Sequence, residues 1–164
     1  MLFPPFFMLP LGFIIFPLFI DLLLKNSVKK TLLLFFCYGF SFGLGFLLIF
    51  LLWIYNPFLV YEETKSFAFL SILLPIFLSI FFGLIFLIYK YIKKTFFLII
   101  LTPFILIFIE FCLSNFIYGF PWFSYSLILS NNPFCFFLIK YYGTITSGFI
   151  VIFIFLLPYL LINL

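Results

Sequence analysis

Long apolar runs constrain the fold of this chain more than any other feature. Several stretches reach the roughly 20 consecutive apolar residues that cross a bilayer, and only 7% of the residues are charged, whereas about a quarter are charged in soluble domains. Because lipid cannot hydrogen-bond backbone N–H and C=O groups, each such run is expected to form a helix. The sequence therefore predicts an all-α fold, a polytopic helical membrane protein with about five transmembrane helices and one re-entrant or interfacial aromatic segment.

These helices are expected to form a single transmembrane domain, residues 1–164. Asn56-Pro57 is expected to end the second span, since proline keeps the residue before it out of the helical region. Pro17 interrupts the first span, which is expected to be short or kinked, and Pro75 predicts a kink in the third span. The predicted spans are 11–24, 31–55, 67–89, 96–114 and 142–163, and the predicted outer interfacial segment is 115–141.

Lysine provides all eight basic residues and predicts the orientation of the chain. Short cytoplasmic loops collect Lys and Arg, and six of the eight lysines fall on one side of the predicted spans. The six are Lys25, Lys29, Lys30, Lys90, Lys93 and Lys94, against Lys65 and Lys140 on the other side. Segment 115–141 and the N-terminus are then predicted to face away from the cytoplasm, and a translocated N-terminus leads us to expect that a first span is missing.

Three glycines mark one predicted span as a packing element. Gly39 and Gly43 lie four residues apart, on one face of the second span, with Gly45 close by. Small residues at this spacing let helix backbones approach closely, and in lipid such packing is a main source of association. The spacing predicts helix packing, with a groove for a lipid chain as the functional alternative.

Glu110 is the one carboxylate well inside a predicted span, about one turn from its outer end. An ionisable group at the bilayer centre costs about 2.5 kcal/mol or more on insertion scales, so it marks a candidate functional site. The structural alternative is a protonated or snorkelling glutamate that hydrogen-bonds Ser114, which lies one turn away on the same helix face.

Catalytic and metal-binding patterns are absent from the sequence. The chain has no His, and its cysteines lack CxxC spacing, so we predict no metal site and no cofactor. It has no Ser-His-Asp or Cys-His arrangement, no phosphate loop and no basic patch for nucleic acid. We therefore predict no catalytic residue in this chain, and Cys37, Cys112 and Cys135 are interpreted as small apolar packing residues.

The stretch YGFPWFSYS interrupts the apolar pattern between the last two predicted spans. Gly119 permits a positive φ, Pro121 keeps Phe120 extended, and Trp122 is suited to headgroup depth. The stretch therefore predicts a re-entrant turn at the interface. It serves either as a simple aromatic anchor or as a wall of a lipid-access site.

The same stretch carries a family resemblance. EFCLSNFIYGFPWFSYSLILSNNP, residues 110–133, resembles the E-[FW]-L-R … G-F-P-W … Y-S block of apolipoprotein N-acyltransferases, with the family's Arg replaced by Leu113. Residues 35–55 are similar to that family's glycine-rich span, residues 141–153 to the start of the next span, and residues 6–24 to its second helix. The resemblance runs along nearly the whole chain.

The resemblance implies a lipid-modifying function in the bacterial inner membrane. Enzymes of this family move an acyl chain from a phospholipid to the N-terminal diacylglyceryl-cysteine of lipoproteins, through a thioester on the Cys of a Glu-Lys-Cys triad. That triad belongs to a periplasmic nitrilase-like domain, which lies beyond the helices matched here. The implied partners are therefore membrane phospholipid, a lipoprotein substrate and a nitrilase-like domain in cis or in trans.

On this interpretation the chain is a fragment, a split-gene product or a remnant, and we expect it to be inactive by itself. Glu110, Gly119, Phe120, Pro121 and Trp122 are the predicted lipid-access or structural motif. The alternative from another class is a small membrane carrier in which Glu110 is a proton or cation site. A carrier is expected to contain a repeat of helices and several polar groups at mid-membrane.

Overall fold

The described part of the chain is helical. A computed structural model describes residues 9–24, 31–115, 124–130 and 132–163, and among these residues no strand is found. The helices are α1 (Gly12–Leu24), α2 (Leu32–Phe50), α3 (Tyr55–Val60), α4 (Glu62–Lys65), α5 (Leu70–Phe86), α6 (Thr95–Asn115) and α7 (Pro133–Asn163). Short 3-10 helices cover Leu9–Leu11, Leu52–Ile54, Leu87–Tyr91 and Tyr125–Leu129. The predicted all-α fold is confirmed.

Four of the helical stretches are long and apolar enough to cross a membrane. They are Leu32–Phe50, Leu70–Tyr91, Thr95–Asn115 and Phe136–Ile162, while α1 is a shorter apolar helix. With 13 residues at about 1.5 Å per residue, α1 is roughly 20 Å long and falls short of a bilayer core of about 30 Å. The architecture is that of a polytopic helical membrane protein.

The second span ends differently from the sequence-based expectation. Helix α2 ends at Phe50, and Asn56-Pro57 lies inside the short helix α3 instead of stopping a helix. Pro57 is the third residue of α3, where a backbone N–H has no partner within the helix, so proline costs nothing there. Proline thus begins a new helix at the end of this span.

By its internal contacts the chain divides into two compact units, residues 28–91 and residues 1–27 with 92–164. In the first of these, α2 packs along α5. A methyl group on Gly39 would lie 2.5 Å from the Phe82 carbonyl oxygen, and one on Gly43 would lie 2.6 Å from the Phe82 ring. A methyl group on Gly83 of α5 would lie 2.7 Å from the Phe36 ring.

Each helix of this pair therefore places aromatic rings over glycines of the other, and contacts this close supply the van der Waals packing that holds helices together in lipid. Gly45 faces away, and a methyl group there would meet nothing within 4 Å. The structure places Gly39 and Gly43 at the contact, while their contribution to stability stays a prediction.

The other unit is built from α1, α6 and α7. Phe155 of α7 stacks on Phe16 of α1 at 5.6 Å between ring centroids, and its edge meets Gly12, where a methyl group would lie 2.6 Å from the ring. The core of this unit is mainly apolar, and its members recur at the three-, four- and seven-residue spacings of one helix face. Its fully buried members on α6 and α7 are Leu98, Ile99, Leu106, Ile109, Val151, Ile152 and Leu156.

Candidate functional site

Glu110 lies on the buried face of α6, five residues before the helix ends at Asn115. Only 3% of its surface is exposed, and Leu106, Ile109 and Leu113 beside it are buried as well. Burying a carboxyl group among apolar side chains is costly unless donors within the protein replace water. The position therefore requires a hydrogen-bonding partner from another element.

That partner is the backbone of the 3-10 helix Tyr125–Leu129. The Tyr125 N–H donates to Glu110 Oε2 at 3.0 Å, and the Ser124 hydroxyl is a second hydrogen-bonding group beside the same carboxyl. A helix start presents free N–H groups and a partial positive charge, which favour a carboxylate. The sequence pointed to Ser114 as a partner, whereas the bond that the structure shows comes from a residue 15 positions along the chain.

Two serines complete the start of this 3-10 helix. The Ser124 hydroxyl accepts a hydrogen bond from the Ser126 N–H at 3.3 Å, and the two hydroxyl oxygens lie 2.8 Å apart. Ser124, Tyr125 and Ser126 are all buried. The two serine hydroxyls and the Ser126 N–H are therefore hydrogen-bonding groups for one another inside the unit.

Gly148 of α7 makes room for the 3-10 helix. A methyl group on Gly148 would lie 3.0 Å from Ile107 Cδ1, 3.3 Å from Tyr125 Cβ and 3.4 Å from the Ser126 nitrogen. A larger side chain would thus press on α6 and on the 3-10 helix together. Gly148 was missed by the sequence analysis, because no glycine pair at four-residue spacing marks it.

The arrangement fixes one end of the aromatic stretch. Gly119, Phe120, Pro121 and Trp122 lie outside the described residues, but Ser124 follows Trp122 by two positions and is held against α6 through Glu110. On the other side of the stretch, the Asn115 side chain donates to the Phe111 carbonyl oxygen at 2.8 Å at the end of α6. Glu110 therefore anchors the chain where it leaves the predicted turn.

Chemically, the arrangement joins a carboxyl group, two serine hydroxyls and a backbone N–H, and it positions the 3-10 helix against α6. Within the described ranges, no three His, Cys, Asp or Glu side chains come together in a way that could hold a metal ion. Cys37 is exposed and Cys112 is partly buried, and both are free thiols. The side chain of Cys135 lies outside what the structure describes.

Comparison with protein families identifies the family of this chain. The family model described as the apolipoprotein N-acyltransferase N-terminal domain matches residues 1–157. Neither the curated proteins nor the solved structures contain a match to the chain. The matched range includes α1 to α6, the 3-10 helix that carries Tyr125, and most of α7. The chain belongs to the apolipoprotein N-acyltransferase family, and its helices are those of the family's N-terminal membrane domain.

Proposed function

We propose that this chain is the membrane part of an enzyme that transfers an acyl chain from a phospholipid to the N-terminal diacylglyceryl-cysteine of lipoproteins. The observation that carries the proposal is the family match, which covers residues 1–157 of 164. The resemblance of residues 110–133 to the family's E…GFPW…YS block adds to it, because that block contains both halves of the Glu110–Tyr125 hydrogen bond.

Catalysis in this proposal belongs to a nitrilase-like domain acting in cis or in trans. Its Cys thiolate attacks the ester carbonyl of the phospholipid, forms a thioester and releases the lysophospholipid. The amine of the diacylglyceryl-cysteine then attacks the thioester and regenerates the thiol. We assign no catalytic role to Cys37, Cys112 or Cys135, and we expect no acyl transfer from residues 1–164 by themselves.

The helices contribute position and lipid access. A phospholipid must reach the thiol from within one leaflet, and residues 118–123, the first part of the aromatic stretch, are the part of the chain that we expect to lie at headgroup depth. Glu110 supports this role by holding Ser124 and Tyr125, which directly follow residue 123, against α6. Gly119, Phe120, Pro121 and Trp122 are then proposed to line the lipid entrance.

The proposed location is the bacterial inner membrane, with segment 115–141 on the periplasmic side. The six lysines at 25, 29, 30, 90, 93 and 94 support this orientation, because cytoplasmic loops collect positive charge. A nitrilase-like domain on the periplasmic side would meet both the outer leaflet and exported lipoproteins.

The carrier alternative gains no specific support. In the part of the chain that the structure describes, the Glu110 carboxyl is engaged by Tyr125 and Ser124, so it is not poised as an open cation site. The remnant alternative differs from the main proposal only in the outcome of an activity measurement.

The proposal is tested by co-expressing residues 1–164 with a nitrilase-like domain that carries the Glu-Lys-Cys triad, and measuring acylation of a diacylglyceryl-cysteine peptide by mass spectrometry. Both pieces together are expected to add one acyl chain, while either piece alone adds none. Trp122→Ala is expected to lower the rate, and Trp53→Ala, which alters the chain's only other tryptophan, is expected to leave it unchanged. If both pieces fold and insert but no acyl chain is transferred, the proposal is wrong and the remnant alternative is favoured.

A further inference from the structure

Helix α7 is interrupted at Gly143. Its backbone there has φ 78° and ψ 171°, which is not helical and lies in a region that only glycine enters readily. The Ser147 hydroxyl donates to the Gly143 carbonyl oxygen at 2.7 Å, so that carbonyl group is hydrogen-bonded. The helix therefore consists of two segments, residues 133–142 and residues 144–163.

The two segments differ in length, and only the second is as long as the hydrocarbon core of a bilayer is thick. Residues 144–163 form a segment of about 30 Å at about 1.5 Å per residue, which matches the hydrocarbon core of a bilayer. That segment alone is long enough to cross the membrane. Residues 133–142 are then not needed to cross the hydrocarbon, and we call them the interfacial arm.

The surface of the interfacial arm is aromatic, exposed and carries one positive charge. Phe136 and Tyr141 are 64% and 62% exposed, and Phe137 and Tyr142 are more than half exposed. The Phe137 and Tyr141 rings are in contact, with centroids 4.5 Å apart, and Lys140 Nζ lies 5.6 Å from the centre of the Tyr141 ring. Leu138 is buried and holds the arm to its unit.

This composition matches one kind of neighbour. Tyr side chains concentrate at the level of the lipid headgroups, where their rings meet glycerol and acyl ester groups and their hydroxyls meet water. A Lys at the same depth extends its charge toward lipid phosphates.

We propose that the interfacial arm binds the phospholipid headgroup layer, with Lys140 contacting lipid phosphate and the rings of Phe136, Phe137, Tyr141 and Tyr142 lying at the ester level. The break at Gly143 is what allows one helix to span the bilayer while its first ten residues follow the membrane surface. This contact anchors the last span and does not depend on acyl transfer, so it goes beyond the proposed function.

The depth of the arm is measured by tryptophan quenching in vesicles of phosphatidylethanolamine and phosphatidylglycerol. In a chain with Trp53→Phe and Trp122→Phe, a single tryptophan is introduced as Phe137→Trp on the arm or as Phe108→Trp, a control at a half-exposed position within α6. The vesicles contain lipids brominated near the ester end or near the middle of the acyl chain. Phe137→Trp is expected to be quenched more by the ester-end bromine, and Phe108→Trp more by the mid-chain bromine.

Two outcomes would overturn the proposal. Stronger quenching of the arm tryptophan by the mid-chain bromine would place residues 133–142 inside the hydrocarbon. No quenching by either lipid, with normal quenching of Phe108→Trp, would mean that water or protein covers the arm instead of lipid.

The charge contact is tested separately with Lys140→Gln, and Lys65→Gln is the matched control because Lys65 is already paired with Glu62. Bound phosphatidylglycerol is counted by native mass spectrometry after extraction from the same vesicles. A lysine near a charged lipid surface contributes about 1 kcal/mol, which corresponds to roughly a fivefold change in affinity. Lys140→Gln is expected to lower retention by about that factor, whereas equal retention in the two variants would overturn the assignment of Lys140.

Discussion

Replacing Glu110 by alanine removes the acceptor of the Tyr125 N–H. The bond is 3.0 Å long and joins a carboxyl that is 3% exposed to a buried backbone group. A hydrogen bond contributes about 0.5–1.5 kcal/mol, and a buried N–H that is left without an acceptor costs about 1–3 kcal/mol, because no water replaces the lost partner in the core of the unit. The lost side-chain volume adds a cavity cost, so we expect Glu110→Ala to lower the free energy of unfolding by roughly 2–4 kcal/mol.

Glutamine at the same position separates the hydrogen bond from the charge. Its amide oxygen can still accept from Tyr125 N–H, but a neutral bond is worth about half as much as a charged one. We expect Glu110→Gln to cost about 1 kcal/mol, clearly less than Glu110→Ala. Glu63→Ala, which removes an exposed carboxyl, is the matched control and is expected to leave stability unchanged.

The assay is reversible unfolding in mixed micelles, titrated with a denaturing detergent and followed by circular dichroism at one lipid and detergent composition for all variants. If glutamine destabilises the protein as much as alanine does, the side chain stabilises through its charge, and not through the bond to Tyr125 or through its volume, both of which glutamine can keep. If Glu110→Ala is as stable as the parent chain, the bond between Glu110 and Tyr125 is not a stabilising contact. The positioning role proposed for Glu110 is then wrong as well.

Two further substitutions test the glycines. Gly39→Ala is expected to lower the free energy of unfolding by about 1–3 kcal/mol, because the new methyl group must displace the backbone of Phe82 and overpacking at such a contact is costly. Gly45→Ala is the control, since a methyl group there meets nothing within 4 Å. Equal effects of the two substitutions in the same unfolding assay would show that α2 does not pack through this face. A methyl group on Gly143 would also lie in open space, so Gly143→Ala is expected to lower the free energy of unfolding by about 1–3 kcal/mol through the backbone conformation alone. If both the stability and the membrane depth of residues 133–142 are unchanged, the positive φ at this position is not required.

The spans could be predicted from the sequence because membrane solvation leaves few choices. An apolar run of about 20 residues must be helical in lipid, and α2, α5 and α6 fall where such runs occur. The ends of the spans are harder to predict, since proline either stops a helix or begins one. At Asn56-Pro57 the second possibility holds, because α2 has already ended at Phe50.

Contacts between elements distant in the sequence could not be predicted in the same way. The pairing of Gly83 with Phe36, and the space that Gly148 leaves for Tyr125, depend on which helix faces lie together. Neither glycine stands out by spacing, and a helix in lipid that is apolar on every side gives no amphipathic pattern to orient it. The packing partners therefore required three-dimensional information.

Glu110 provides a physical reason for part of the sequence block that resembles the family. The block that resembles the family begins with Glu110, and its aromatic part ends with Tyr125 and Ser126. The structure joins the two ends by the hydrogen bond from the Tyr125 N–H to Glu110, 15 positions apart. The Arg expected three residues after the glutamate is Leu113 here, and Leu113 is buried among apolar side chains. A carboxyl that is satisfied by a backbone N–H and a serine hydroxyl has no need of a cationic partner. Glu110 thereby holds Ser124 and Tyr125, the residues that follow the GFPW motif in the chain, and this bond is the structural support for the lipid contact proposed for that motif.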